Sequence, residues 1–297
     1  MSDARACTVV RDRTERIGGA LVRHGPVSDR AYLVKPSPDP AADVAVLERL
    51  ASEHGYGKLF AKITADAFEQ FRSADFAVEA RVPLADRDGE LLFCSRFVDS
   101  ARAHGADRSH LEQVLAECAV ANTHAQVDDT SVPPPTASLQ AGVNLADTSD
   151  IDDIARLYAG VFESYPFDID DPRFIAEAMR EGTVFAVVRE GKRLVAAASA
   201  EIDESTASCE MTDFATVPDQ RGRGLASSLL CALEAESAAR GCATAYTIAR
   251  ASSASMNVVF ARRGYGFGGT LVNNTGICGR VESMNVWYRS LHPGDRG

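Results

Sequence analysis

The stretch Arg221-Gly222-Arg223-Gly224-Leu225-Ala226 holds the residue types that most directly imply chemistry. It follows an extended segment ending at Val217-Pro218 and runs into a helix with an apolar stripe. A helix N-terminus presents unpaired N–H groups and a partial positive charge, so it binds phosphate oxygens. Gly222 and Gly224 let the backbone approach such an anion, and Arg221 and Arg223 add charge beside it. The spacing is not that of the dinucleotide fingerprint, and the Gly-Lys-Ser/Thr ending of a nucleoside triphosphate loop is absent. Glycine-rich strand-to-helix turns also serve purely structural ends, so the loop alone leaves both readings open.

The elements around it read as mixed α+β. Residues 150–162 carry Ile151, Ile154, Leu157, Tyr158 and Val161 on one helical face. A second short helix, 174–179, begins after Asp171-Pro172. Residues 183–189 and 194–202, joined by Gly191-Lys192, predict a hairpin. The spacing then predicts a strand over 210–217, a helix from 225 to about 240 capped by Gly241, a strand at 244–249, a helix at 255–263 and a final strand at 282–291.

Upstream, 42–54 reads as a helix, 58–63 as a strand, 66–72 as a helix, and 76–81 and 91–98 as strands. This repeats the order that follows the glycine loop. In place of that loop stands Lys35-Pro36-Ser37-Pro38-Asp39-Pro40, which cannot offer a row of backbone N–H groups to a pyrophosphate. The first part is therefore read as a smaller, degenerate copy, with an unrelated α/β domain as the alternative. The expected division is a domain at 1–125, a proline-rich linker at 126–142 around Pro133-Pro134-Pro135, and a catalytic domain at 143–297.

The net charge of −11 divides as −5 before residue 142 and −6 after it, with no basic stripe. A nucleic-acid partner wants such a stripe, so none is expected. Seven scattered cysteines, without a Cys-x-x-Cys pair, argue against zinc or disulfides and for free thiols in a reducing cytoplasm. No metal is expected. The charged N-terminus and the lack of an apolar run of about 18 residues predict neither a signal peptide nor a membrane helix.

In context, strand–Val-Pro-x-x-Arg-Gly-x-Gly-x-Ala–helix–strand–helix–Gly-Tyr resembles the Gcn5-related N-acetyltransferase (GNAT) superfamily. Several longer segments, among them 210–216, 245–250, 269–275, 282–288 and 58–62, look like the beta-lysine N-acetyltransferase family. The resemblance covers nearly the whole chain. It implies acetyl-CoA as cosubstrate and a splayed central sheet. Thr216 and Val217 would contact the pantetheine, and Arg221, Gly222, Arg223, Gly224, Leu225, Ala226 and Ser227 the pyrophosphate. It further implies acetylation of the side-chain amine of (S)-β-lysine by direct attack in a ternary complex, giving an osmolyte. Another small amine (lysine, a polyamine, an aminoglycoside) or a silent acyl-CoA sensor are the alternatives.

A lysine-type ammonium has a pKa of about 10.4 and must lose a proton before it attacks a thioester. Glu210, heading the strand before the loop, is the candidate base, with Asp213 the fallback. Strand alternation puts these two on opposite faces unless a bulge intervenes. A backbone N–H near Val217 is the expected oxyanion donor. Many GNAT members carry a tyrosine where this chain has Phe260 beside the cofactor, and phenylalanine cannot protonate a thiolate. Tyr246 is the preferred substitute, with Ser255 and Tyr265 behind it. Candidates for holding the dicationic acceptor and its carboxylate are Asp213, Asp168, Asn273, Asn274 and Glu282. For the first domain two roles stand open, covering the active site or joining two copies in a homodimer.

Overall fold

The computed structural model describes residues 11–104, 108–127, 142–163 and 165–292. The first half runs β1 (Arg13–Ile17), β2 (Ala20–Gly25), β3 (Arg30–Lys35), α1 (Pro40–His54), β4 (Lys58–Thr64), α2 (Phe68–Ser73), β5 (Ala77–Pro83), β6 (Glu90–Phe97) and α3 (Arg108–Val127). The second runs β7 (Val143–Leu145), α4 (Ile151–Val161), α5 (Pro172–Arg180), β8 (Val184–Glu190), β9 (Arg193–Asp203), β10 (Ser208–Thr216), α6 (Leu225–Ala239), β11 (Thr244–Arg250), α7 (Ala254–Arg262), β12 (Gly266–Ile277) and β13 (Arg280–Ser290). Local chemistry sets several of these boundaries. Asp39 caps α1 and Asp171 caps α5, each followed by a proline in the first turn, and Gly55 closes α1 in the left-handed conformation.

All strands join one sheet in the order β1-β2-β3-β4-β6-β5-β12-β13-β11-β10-β9-β8-β7. In the second half β10 lies parallel to β11, and β11 and β12 flank β13 antiparallel. In the first half β3 lies parallel to β4, and β4 and β5 flank β6 antiparallel. The antiparallel hairpins before them, β1-β2-β3 and β8-β9-β10, also correspond. The pairing scheme is thus written twice in one chain.

The halves meet where β5 pairs with β12, Ala80 opposite Gly269. A side chain at Gly269 would put its Cβ 2.2 Å from the Glu79 carbonyl, and one at Gly268 would lie 2.6 Å from that of Arg81. Glycine is required there by close approach of two backbones. The sheet curls beyond this seam so that its concave faces pack on each other. Tyr32, Phe60 and Phe93 of the first half share a buried cluster with Tyr246, Met284 and Val286 of the second. Helices α1 and α2 cover the other face of the first half, while α6 and α7 cover that of the second. Helices α4 and α5 close over β8, β9 and the end of β10.

The sequence reading placed no strands at β1, β2, β3 and β7, and it missed two larger elements. Helix α3 was not anticipated, although Leu111, Val114, Leu115 and Cys118 carry helical spacing. Val114 and Cys118 insert into the core beneath α6 and α7, so the chain crosses to the second half before the proline-rich stretch. Strand β12 was hidden by the glycines at its start, which serve the seam rather than a turn. Of the expected linker, residues 128–141 lie outside the described residues. No helix among the described residues is long and apolar enough to cross a membrane.

Candidate active site

Strand β10 pairs with β11 only across Ser208–Glu210, opposite Thr244–Tyr246, but with β9 as far as Thr216. Backbone pairing on that edge ends at Glu210; Thr247 Oγ1 of β11 still donates to the Met211 carbonyl at 2.7 Å, and from Thr212 onward no described strand pairs with it. Between Thr212 and Ala215 the register slips, and Asp213 adopts φ 57°. An extra residue reverses the in–out alternation. Glu210 and Asp213 therefore share a face, the one carrying Glu201 directly across from Glu210 and Ser199 across from Thr212. The bulge that the sequence reading held out as a condition is present.

The two carboxylates are held differently. Asp213 accepts hydrogen bonds from the Tyr165 hydroxyl at 2.7 Å, Ser199 Oγ at 2.7 Å and Thr212 Oγ1 at 3.3 Å. Burial and the Glu201 charge nonetheless push its pKa up to about 6. Glu210 accepts from the Tyr246 hydroxyl at 3.2 Å, and that hydroxyl accepts from Lys62 Nζ at 2.9 Å. Burial, then repulsion from Glu201, raises the Glu210 carboxyl to about 7, with Lys62 and Tyr246 opposing. A base works best when its pKa lies near the operating pH, which favours Glu210 for proton transfer. Asp213, saturated with donors, is better suited to fix the bulge and attract a cation.

Glu201 and Lys62 were missed by the sequence reading. Lys62 belongs to the first half, and its neighbourhood with Tyr246 spans 184 positions. The available signal was on β4, where alternation puts Lys58, Phe60 and Lys62 on one face.

Beyond Thr216 the glycine loop leads into α6. Gly222 and Gly224 have φ 79° and 75°, a left-handed conformation that favours glycine, and nothing lies within 4 Å of an added Cβ. The glycines are thus required by backbone angle, not by crowding. Gly224 is the N-cap of α6 and supplies no side-chain acceptor to the first-turn amides. Arg221 Nε donates to the Thr216 carbonyl at 3.2 Å, and Arg223 pairs with Glu190 and Gln220. An open cavity of about 410 Å³ lies beside Val217 and Pro218, walled by Leu157, Val161 and Leu194. A pyrophosphate carried on an extended, partly apolar arm fits the glycine-capped helix end and the free strand edge; the cavity lies on the α4 side of Val217 and touches neither.

Several expected roles are corrected. The Val217 N–H bonds the Val195 carbonyl at 3.0 Å, so it is committed to β9 and does not face the splay. Alternation turns the Thr216 N–H to the open edge instead, as its carbonyl on Arg221 confirms. Phe260 is 1% exposed and packs edge-on against Phe214 and Tyr265, so it belongs to the core rather than to the cofactor surface. The Tyr246 hydroxyl is engaged on both sides, and burial with the Glu210 charge pushes its pKa well above the phenol range. It holds the base more readily than it releases a proton.

The remaining candidates make structural contacts. Asp168 pairs with Arg11 at 2.7 Å, tying the loop after α4 to the first half. Asn273 Nδ2 donates to the Arg102 and His104 carbonyls, and Arg30 donates to the Asn274 carbonyl at 2.6 Å. Glu282 accepts from Ser252 at 2.6 Å and pairs with Arg280 and Arg250.

A family model described as the acetyltransferase (GNAT) family matches residues 151–267, which run from α4 into β12. The Beta-lysine N(6)-acetyltransferase of Methanococcus maripaludis is 30% identical over 275 residues, 92% of this chain and 97% of that protein. The chain belongs to the beta-lysine N-acetyltransferase family. Within this family it is an acetyl-CoA-dependent N-acetyltransferase of GNAT fold. Two further proteins match about half of the chain and 53% of their own length. N-acetyltransferase YodP of Bacillus subtilis is 40% identical over 146 residues, and the Beta-lysine N(6)-acetyltransferase of Methanosarcina mazei is 38% identical over 143.

Proposed function

We propose that this protein transfers the acetyl group of acetyl-CoA to the side-chain (ε) amine of (S)-β-lysine. The product is N-ε-acetyl-β-lysine, an osmolyte made in the cytoplasm. The observation that carries this reading is the grouping of Glu201, Glu210 and Asp213 on one face at the mouth of the splay. Three carboxylates attract an ammonium, and Glu210, poised near 7, accepts its proton. The Thr216 N–H, rather than that of Val217, stabilises the oxyanion as charge develops. The first-turn amides of α6 hold the pyrophosphate. Acetyl-CoA supplies the activated acyl group when bound. Because Glu210 works ionised, the rate falls as pH drops through about 7.

Thiol release from acetyl-CoA, measured with β-lysine, lysine, a polyamine and an aminoglycoside as acceptors, tests the assignment. Turnover is expected to be highest by kcat/KM with β-lysine. A higher kcat/KM with any other amine overturns the choice of acceptor.

A further inference from the structure

Lys62 stands out among the charged groups of the first half. Its neighbour four residues back on the same face, Lys58, is buried and paired with Glu79 at 2.7 Å and the Val272 carbonyl at 2.7 Å, which binds the halves together. Lys62 instead reaches over the apolar wall formed by Phe93 to the Tyr246 hydroxyl at 2.9 Å. An ammonium drawn into such a cluster loses hydration and side-chain freedom, a cost that packing alone does not offset. The offset lies in what surrounds it. Facing Glu210 are Glu201 from β9, Asp213 from β10, Tyr246 from β11 and Tyr32 from β3, with Lys62 from β4 as the cation, and Asp203 from β9 lies near Lys62 and Tyr246.

We propose that Lys62, supplied by the first half, is a positioning residue for the base: it fixes the Tyr246 hydroxyl with its proton directed at Glu210 and holds that carboxylate anionic and aimed at the acceptor. This rests on the assignment of Glu210 as the base. The hydroxyl accepts from Lys62 on one side, so its single proton is directed to the other. The chain Lys62–Tyr246–Glu210 thus links the two halves through the site itself. It gives the first half a part in the chemistry although its own strand-to-helix joint carries no glycine loop.

The test is the pH dependence of kcat/KM for the full chain with acetyl-CoA and β-lysine. In Lys62→Met the acid limb is expected to move up by about one pH unit, with a roughly fivefold loss at pH 7 that is recovered at high pH. Lys62→Arg should return the limb close to that of the parent. Tyr246→Phe cuts the same link from the other end and should move the limb in the same direction. A merely structural role would lower activity evenly across pH. An acid limb unmoved in Lys62→Met overturns the proposal, whatever Tyr246→Phe does. Glu210→Gln separates it from the reading beneath: if that variant keeps the native limb, the base assignment fails. If it removes the limb while Lys62→Met leaves it in place, only the role of Lys62 fails.

Discussion

The joints β3–α1 and β10–α6 occupy the same place in the two pairing schemes, and their ends are chemically opposite. In the first half Asp39 accepts hydrogen bonds from the Ala41 and Ala42 amides at 3.1 and 3.2 Å, so the positive end of α1 is neutralised by its own carboxylate. In the second half the same position is Gly224, with no side chain to occupy the amides of α6. The splay differs as well. Strand β3 runs two residues past its last partner on β4, whereas β10 runs six past its last partner on β11. Both keep a register slip in this strand, beside Val34 and at Asp213. The strand pairing is alike in the two halves, but the end of α1 is capped by a carboxylate where that of α6 is left open.

The sharpest way to break this contrast is at the base. Glu210→Gln should lower kcat/KM by about 10²–10⁴ in a thiol-release assay, because amine deprotonation is lost. The same variant should be the more stable protein at pH 8. The folded-state pKa of Glu210 lies above its ordinary value of 4.5, so its contribution to stability is complete below that value. It is lost as pH rises through about 7. Melting curves should show the advantage of the variant closing toward pH 4.5. Next in size, Gly269→Val should destabilise the chain by about 2–4 kcal/mol in denaturant unfolding, since its Cβ meets backbone and its φ of 142° disfavours a side chain.

Gly224→Asp would copy the cap of the first half into the second. Calorimetry should then show coenzyme A binding weakened about 10–100-fold, as a carboxylate competes with phosphate for the α6 amides. An unchanged affinity would remove the cap from the explanation. The smallest effect is expected from Arg11→Ala, which frees Asp168 and Asp170 of the loop after α4. It should cost less than about 1 kcal/mol in stability, as a partly exposed pair does, and raise the KM for the amine a few-fold.

Much of this was legible in residue order, and the rest was not, for a physical reason. The glycine loop, α6 and the repeat of elements rest on local spacing, which propensity and periodicity report. Glu210 was legible as a residue but its partners were not. Whether Asp213 shares its face depends on a slip in pairing that alternation cannot foresee. Glu201 enters through strand register and Lys62 through curling of the sheet, neither of which leaves a periodic trace. Asn273 and Asn274 were read as candidates for holding the acceptor, yet Asn273, with φ 43°, serves a strand irregularity and the bonds to Arg102. Phe260 was correctly noticed as a departure from the superfamily pattern, and its burial between Phe214 and Tyr265 gives it a packing role.

The β5–β12 seam joins two like units as a twofold assembly would, but within a single polypeptide. In a true twofold pair, every substitution appears on both sides at once, so one subunit cannot specialise without the other. Covalent continuity lifts that constraint. One unit can then present a charged finger to its neighbour while the other keeps the open helix end, and the molecule works one reaction centre with two scaffolds.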